Sequence, residues 1–412
     1  MIRFSSLLLL FLLIPGTCLA YTSNSLHNHL NLHGQAEPRQ TGFMEDFRES
    51  WDKVQNATGP LTIDGDVLAY WQGYTDSRIA GDKKEGRNYG AYKARLRLNW
   101  QPIEEGQLFI QLQGGQSDTG SNPSSRGMVA TPLNSLYTRT TAGGQVSISD
   151  VLYTQHFADK KIFVTLGWSD PESFLDDNRF AGNARLQFTN TIFNNDPIFD
   201  SIDENHPIIA AGYSPVKELR FTALAQSSTK SALPTDEHKQ GFDGLTDDPF
   251  FGGQFTYSPT FGDLQGNYRF FGWTNTYKQP RIDGNGDSAN WAIAFNMDQD
   301  LTKDFGVFAR VGKANSAVNN ITWSWSAGTN WKGPIAGRDG DVWGVAAGGV
   351  QGNKHTINND IEFHYESFYQ IKINNNFSIV PDLTYVSNPL ANNGNDDIVF
   401  GMLKFLFTFS TP

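Results

Sequence analysis

The chain reads as an all-β protein, a transmembrane antiparallel β-barrel of about sixteen strands with a short N-terminal helix, on three observations. From residue 61 onward, short stretches alternate apolar and polar side chains at period two, the pattern of half-buried strands. Their connections are alternately tight and long. The last stretch, 399–409, presents Val399, Leu403, Phe405, Phe407 and Phe409 on one face. That continuous apolar surface suits lipid, in a chain whose mean hydropathy is only -0.42.

In chain order, residues 1–20 have the parts of a secretory signal: Arg3, an apolar run over 7–14, Pro15-Gly16, and small residues where cleavage would fall. The mature chain is expected to begin at Tyr21. The run is too short for a spanning helix, which needs about 18 apolar residues, and no other stretch comes near; any membrane passage must then use strands. Cys18 is the only cysteine and leaves with the signal, taking thiol and disulfide chemistry with it. Pro15 argues against a lipid-anchored Cys18.

Residues 21–60 form a polar lead with His27, His29 and His33, without the nearby carboxylates that would favour a metal. Phe43, Phe47, Trp51 and Val54 then recur at helical spacing with Glu45, Asp46, Glu49 and Asp52 between them. This predicts a short amphipathic helix, a brace or plug for the inner rim or simply a leader. Residues 61–412 show no linker or composition shift and are read as one barrel domain. With 32 Lys and Arg against 43 Asp and Glu, the net charge of -11 disfavours nucleic acid as a partner.

Within the barrel, tight links are expected at 102–106, 158–160, 215–217, 260–263, 300–304 and 374–376, and long polar ones at 74–90, 116–144, 169–206, 229–250 and 277–288. The connection at 333–340 is longer than a typical inner turn. Short links on one rim and long ones on the other are the outer-membrane arrangement, and an even strand count returns both ends to one rim.

Charge fixes which face of each strand meets water. Tyr92, Ala94, Leu96, Leu98 and Trp100 share one face, and Lys93, Arg95, Arg97 and Asn99 the other. An arginine facing lipid at mid-depth costs about 2–4 kcal/mol. Turning Arg95 and Arg97 outward would therefore cost about 4–8 kcal/mol, comparable to a protein's whole stability margin. The same reasoning turns Gln111, Gln113, Glu218, Arg220, Thr222 and Arg310 inward. It puts Arg269 with Phe271 and Trp273 on the inner face, and His364, Glu366, Phe368, Gln370 and Lys372 on another. Trp100, Trp168 and Trp291, near strand ends, suit an interfacial girdle.

Arginines, carboxylates, amides and rings together match a hydroxyl-rich solute: hydroxyls accept from guanidinium and donate to carboxylate, while the C–H face of a sugar lies on a ring. The constriction wall is expected to comprise Arg95, Arg97, Arg220, Arg269, Arg310, Glu366 and Lys372, with Phe271 and Trp273 as stacking surfaces. The long polar links 116–144 and 169–206 carry Arg126 and Arg139, and Arg179 and Arg185. The competing reading of each Arg or Glu is a brace pairing across the lumen.

Residues 283–287 imitate the start of a calcium loop, but Ala294 stands where its closing carboxylate belongs, leaving a hairpin tip. Neither a phosphate-cradling Gly-Lys motif nor a zinc-protease pair nor a serine elbow occurs. His156 and His364 have no serine placed for them. No enzyme activity, cofactor or metal is implied. The partners are small sugars as solute and outer-membrane lipid; the sequence leaves homo-oligomer formation, a trimer for example, open. Alternatives are an export conduit for a surface polysaccharide, a general diffusion porin, and a secreted β-protein with lectin-like loops.

Particular stretches carry a family resemblance: Glu362-Phe363-His364-Tyr365-Glu366-Ser367-Phe368-Tyr369, then Pro381-Asp382-Leu383-Thr384-Tyr385, Asn388-Pro389 and the closing strand. Asn183-Ala184-Arg185-Leu186-Gln187-Phe188-Thr189-Asn190, Asn194-Asn195-Asp196-Pro197 and Gly340-Asp341-Val342-Trp343-Gly344 add to it. The chain resembles the carbohydrate-selective porins of Gram-negative outer membranes, the OprB-like group. The resemblance implies a sixteen-stranded porin with loops folded into the pore, so that 116–144 and 169–206 would bring Arg126, Arg139, Arg179 and Arg185 inward as constriction loops, passing mono- or oligosaccharides without an energy source. Thr41-Gly42 and Arg48 match the family's Trp-Gly-Gly-rich N-terminal helix only loosely. Thr384 replaces an expected Gln, and three residues follow Phe409. These departures mark a divergent member.

Overall fold

The computed structural model describes residues 43–116, 136, 146–199, 205–228, 244–355 and 360–411, with backbone alone for 43–50. The expected signal and the histidine-bearing lead lie outside the described residues. The amphipathic segment forms a helix, α1 (Phe43–Thr58). Its end is set by Gly59, at φ 84°, whose N–H donates to Gln55 O at 2.8 Å. A Cβ at Gly59 would lie 2.4 Å from Gln101 O, so only glycine allows this approach to the barrel rim. Trp100 Nε1 donates to Thr58 O at 2.7 Å, fastening the helix end to the rim.

Sixteen long strands follow: β1 (Leu61–Tyr74), β2 (Arg87–Ile103), β3 (Gly106–Gln116), β4 (Val146–Phe157), β5 (Ile162–Ser169), β6 (His206–Val216), β7 (Leu219–Gln226) and β8 (Phe250–Tyr257) make the first half. β9 (Leu264–Pro280), β10 (Asp287–Asp300), β11 (Phe305–Ala314), β12 (Ile321–Lys332), β13 (Val342–Gly352), β14 (Ile361–Lys372), β15 (Phe377–Ser387) and β16 (Ile398–Ser410) make the second. Each pairs antiparallel with its sequence neighbours. β1 pairs with both β2 (Val67 opposite Ala94) and β16 (Val67 opposite Phe407), closing the sheet into a barrel. Closure leaves none of these sixteen strands as an edge, which is what permits strands to cross lipid.

The rim bearing both chain ends is turned by segments such as 104–105, 217–218 and 373–376, with 333–341 the longest. The opposite rim carries the intervals 75–86, 117–145, 170–205 and 227–249. The period-two pattern sets the faces. Leu96, Phe221, Phe270 and Val311 are exposed on the outside. Asp66, Asn296, Arg310 and Thr384, at inner positions, are buried.

Candidate functional site: the infolded loop and the bore

The connection between β5 and β6 enters the barrel and docks on its inner wall. Sequence makes this local: Asp170 caps the turn at Pro171–Ser173 by accepting from Glu172 N at 2.8 Å. Asn190 likewise caps the one-turn helix α2 (Thr191–Asn194). The wall makes room at glycines. A Cβ on Gly306 would lie 2.2 Å from the Phe180 ring, one on Gly252 2.7 Å from Leu175, and one on Gly312 2.6 Å from Asp196.

Charged residues clamp the loop at successive strands. Arg269 on β9 grips Asp177 at 2.8 and 3.0 Å, and Asp298 on β10 at 2.8 Å. Asn178 donates to Asn296 at 2.7 Å. Arg310 on β11 donates to Asp176 at 2.9 Å and to the carbonyls of Phe193 (2.7 Å) and Ala181 (2.9 Å). Glu366 on β14 accepts from the N–H groups of Thr189 (2.5 Å) and Asn190 (3.0 Å). His364, beside it, bonds Asn190 through Nδ1 and Glu362 through Nε2, both at 2.8 Å. On β16 the Lys404 amine donates to Ala184 O, Gln187 O, Thr189 Oγ1 and Asp382 on β15. Arg185 reaches Asp66 on β1 at 2.6 Å.

Between these polar clamps lies an apolar anchor. Phe188 is fully buried against Phe368 (4.8 Å between ring centres, edge-on), Phe308 (5.5 Å) and Phe193 (5.6 Å). Part of the lumen is thus packed like a core.

This placement corrects several expected roles. Arg269, Arg310 and Glu366 are 2, 3 and 2 % exposed, because loop carboxylates, carbonyls and amides occupy their polar atoms; they brace the loop instead of presenting a wall to solute. Phe271 and Trp273 are buried beneath Phe199, at 6.0 and 6.1 Å between ring centres. They offer no stacking surface. Arg185 is buried under its own loop against Asp66. Lys372 lies by the inner rim, its backbone N–H on Asp341 at 2.9 Å. Six residues of strand, about 20 Å, separate it from Glu366. Arg179 is also held near that rim, by Asp300 at 3.0 Å and Gln265 O at 2.9 Å. Arg126 and Arg139 lie outside the described residues; of that loop, Leu136 is described and is buried.

The other arc of wall, β2 to β7, carries polar side chains that the loop does not cover completely. Lys93 is half-buried on β2, and the Arg95 side chain is nearly buried. Arg95 Nε donates to Asp66 at 3.0 Å, and Arg97, more buried, pairs with Asp64. Gln111 on β3 donates to Ser149 and Asp150 on β4, both at 2.9 Å. Arg220 on β7 is half-buried with Ser214 Oγ at 3.4 Å from its Nε. Guanidinium, ammonium, amide and carboxylate groups thus alternate along one side of the bore.

One loop carboxylate is set to titrate. Burial, reinforced by the neighbouring Asp176, raises Asp196 to about 7. Asp196 accepts from Ser324 on β12 and from its own loop at Ile198 N, and Arg310 on β11 opposes the rise only weakly. A carboxyl raised in the folded state packs best when neutral, so its contribution is full in acid and is lost as pH climbs through about 7. Single-channel recordings should therefore show a looser, more conductive or noisier pore at pH 8 than at pH 6. Asp196→Asn should flatten that difference; a wild-type pore unchanged across the interval would remove the premise.

The acidic partners of the clamps were missed by sequence reading: Asp64, Asp66, Asp176, Asp177, Asp298 and Asp382, together with Lys404. Lys404 left a signal, a lone cation in the apolar run Met402-Leu403-Lys404-Phe405. The loop aspartates left none, since acidic residues are ordinary in exposed loops.

Comparison with known proteins agrees with this architecture. Residues 111–409 match the family model described as "Carbohydrate-selective porin, OprB family". The high-pH structure of Pseudomonas putida OprB is similar with a TM-score of 0.71 at 16 % identity, over 88 % of this chain and 97 % of that one. The anion-selective porin from Comamonas acidovorans is similar with a TM-score of 0.52 at 10 % identity, over 85 % and 99 %. At such identities the likeness is one of fold. Among curated sequences, an uncharacterized protein of Nostoc sp. is 35 % identical over 91 residues, which is 21 % of this chain and 15 % of that protein. One of Synechocystis sp. is 30 % identical over 109 residues, 24 % and 20 % respectively.

Proposed function

The chain belongs to the OprB family of carbohydrate-selective porins, and from that premise we propose that it passes small sugars down their gradient across the outer membrane, through a bore bounded by the infolded loop and the β2–β7 wall. The observation that carries this reading is the one-sided docking of residues 170–199: the loop narrows the lumen while Lys93, Gln111 and Arg220 stay partly exposed on the facing wall, whose nearly buried Arg95 side chain and buried Asp150 lie among the pairs that hold it. Such a wall supplies donors and acceptors in alternation, which suits vicinal hydroxyls. Passive diffusion needs no cofactor and no chemical step. Export of the chain by a signal ending at Ala20 is part of the same proposal.

Liposome swelling with sugars, amino acids and anions of matched size tests the solute class. Faster entry of sugars is expected; equal rates for all would reduce the protein to a general pore. In planar bilayers, Arg95→Ala with Arg97→Ala should change both conductance and ion selectivity, because two fixed positive charges vanish and Asp64 and Asp66 lose partners. Wild-type values for both quantities would place the passage elsewhere.

A further inference from the structure

The outer side of the barrel carries a feature that sugar passage does not use. At the loop-bearing ends of β11 and β12, Lys313 and Trp323 stand opposite each other in register. Both point away from the lumen: Lys313 is exposed, Trp323 is 43 % exposed, and each follows the outward parity of exposed Val311 and Trp325. The Lys313 ammonium lies 5.2 Å from the centre of the Trp323 ring. Together with the hairpin tip at Arg281 and Asp283 and the loop residues Lys354 and His355, they line a cleft of about 370 Å³.

The charges in this cleft do not balance. Asp283 is engaged by Arg281 at 2.8 Å. Neither Lys313 nor Lys354 has a carboxylate within ion-pair distance among the described residues. A lysine on the lipid-facing side of a barrel is tolerated near the interface, where its amine can reach headgroups. A tryptophan at headgroup depth marks the same level. The long-loop rim of an outer-membrane barrel faces outward, so the ligand that reaches this cleft from the membrane is a headgroup of the outer leaflet. Phosphate offers several acceptor oxygens at once to ammonium groups that line one cleft, and basic clefts at a membrane interface are suited to anionic headgroups.

We propose that this outward cleft binds a phosphate of an outer-leaflet glycolipid headgroup, held by Lys313 and Lys354 with Trp323 packed alongside. The site lies outside the bore and is independent of which solute the bore passes.

Native mass spectrometry of the full-length protein in detergent, titrated with diphosphorylated lipid A, tests this directly. The wild type should retain the lipid. Lys313→Gln with Lys354→Gln should bind about 30-fold more weakly, while Lys313→Arg with Lys354→Arg should retain it and show that the barrel tolerates change there. Sugar flux should be the same in all three proteins. Equal binding of fully dephosphorylated lipid A, or wild-type affinity in the glutamine variant, would overturn the proposal. Inorganic phosphate binding as tightly as the lipid would assign the cleft to the free ion and overturn the glycolipid assignment.

Discussion

Lys404→Met is expected to free the infolded loop from the closing strands and to raise single-channel conductance several-fold. The amine is fully buried and makes four hydrogen bonds, to Ala184 O (3.0 Å), Gln187 O (2.7 Å), Thr189 Oγ1 (2.6 Å) and Asp382 (3.2 Å). Three of those acceptors belong to the loop, so one side chain ties residues 184–189 to β15 and β16. Methionine preserves the length of the stem but leaves Asp382 a buried carboxylate without its cation. Losing one partner of a buried pair costs about 3–5 kcal/mol. The barrel has a cheaper response than unfolding, because the β15–β16 and β16–β1 ladders use backbone groups that the substitution does not touch. Withdrawal of the loop lets water reach Asp382. Protease cleavage within 170–199 should accelerate in parallel with conductance. Lys404→Met with Asp382→Leu should recover part of the lost packing, since removing both charges removes the uncompensated one. Unchanged conductance in the single variant would mean that the other clamps hold the loop without Lys404.

How far the sequence could be read follows from what period two encodes. Alternation distinguishes the faces of a strand, so Arg95 and Leu96 could be separated, and the rhythm of short and long connections could count strands and orient the rims. Alternation says nothing of what stands in front of an inner face. Arg310 and Arg269 were expected at a watery wall; they meet Asp176 and Asp177, residues 134 and 92 positions away in sequence. Phe271 and Trp273 were legible as inward rings, and rings in a wet lumen suggest sugar stacking. Phe199 covers them, because part of this lumen is a dry core. Nothing local distinguishes an arginine that braces from one that lines, as both need only the inward position. Even the infolding was legible only through the family resemblance, since loop length by itself assigned no more than the rim. Its docking surface is written in Gly252, Gly306 and Gly312, whose meaning appears once Leu175, Phe180 and Asp196 are set against them.

The dry part of the lumen makes its own prediction, and Phe188→Ala measures it. Phe188 packs on Phe193 in its own loop, on Phe308 of β11 and on Phe368 of β14. Its own contacts with the wall are ring on ring, although Gln187 and Thr189 on either side are held by Lys404 and Glu366. Truncation to alanine should cost about 3–5 kcal/mol of loop docking through lost burial and the cavity left behind. Unlike Lys404→Met, it strands no ion, so the loss should be nearly independent of salt and of pH outside the range where Asp196 titrates. Phe188→Leu should recover much of it, because docking here depends on filled volume. The measurement is the conductance step together with the protease sensitivity of residues 170–199, each read at low and high salt. A strong salt dependence for Phe188→Ala would mean that the ion-paired clamps, and not the buried rings, set the strength of docking. Docking undisturbed at either salt concentration would show that the ring cluster adds nothing the clamps do not already supply, and that the loop is held in place by charge alone.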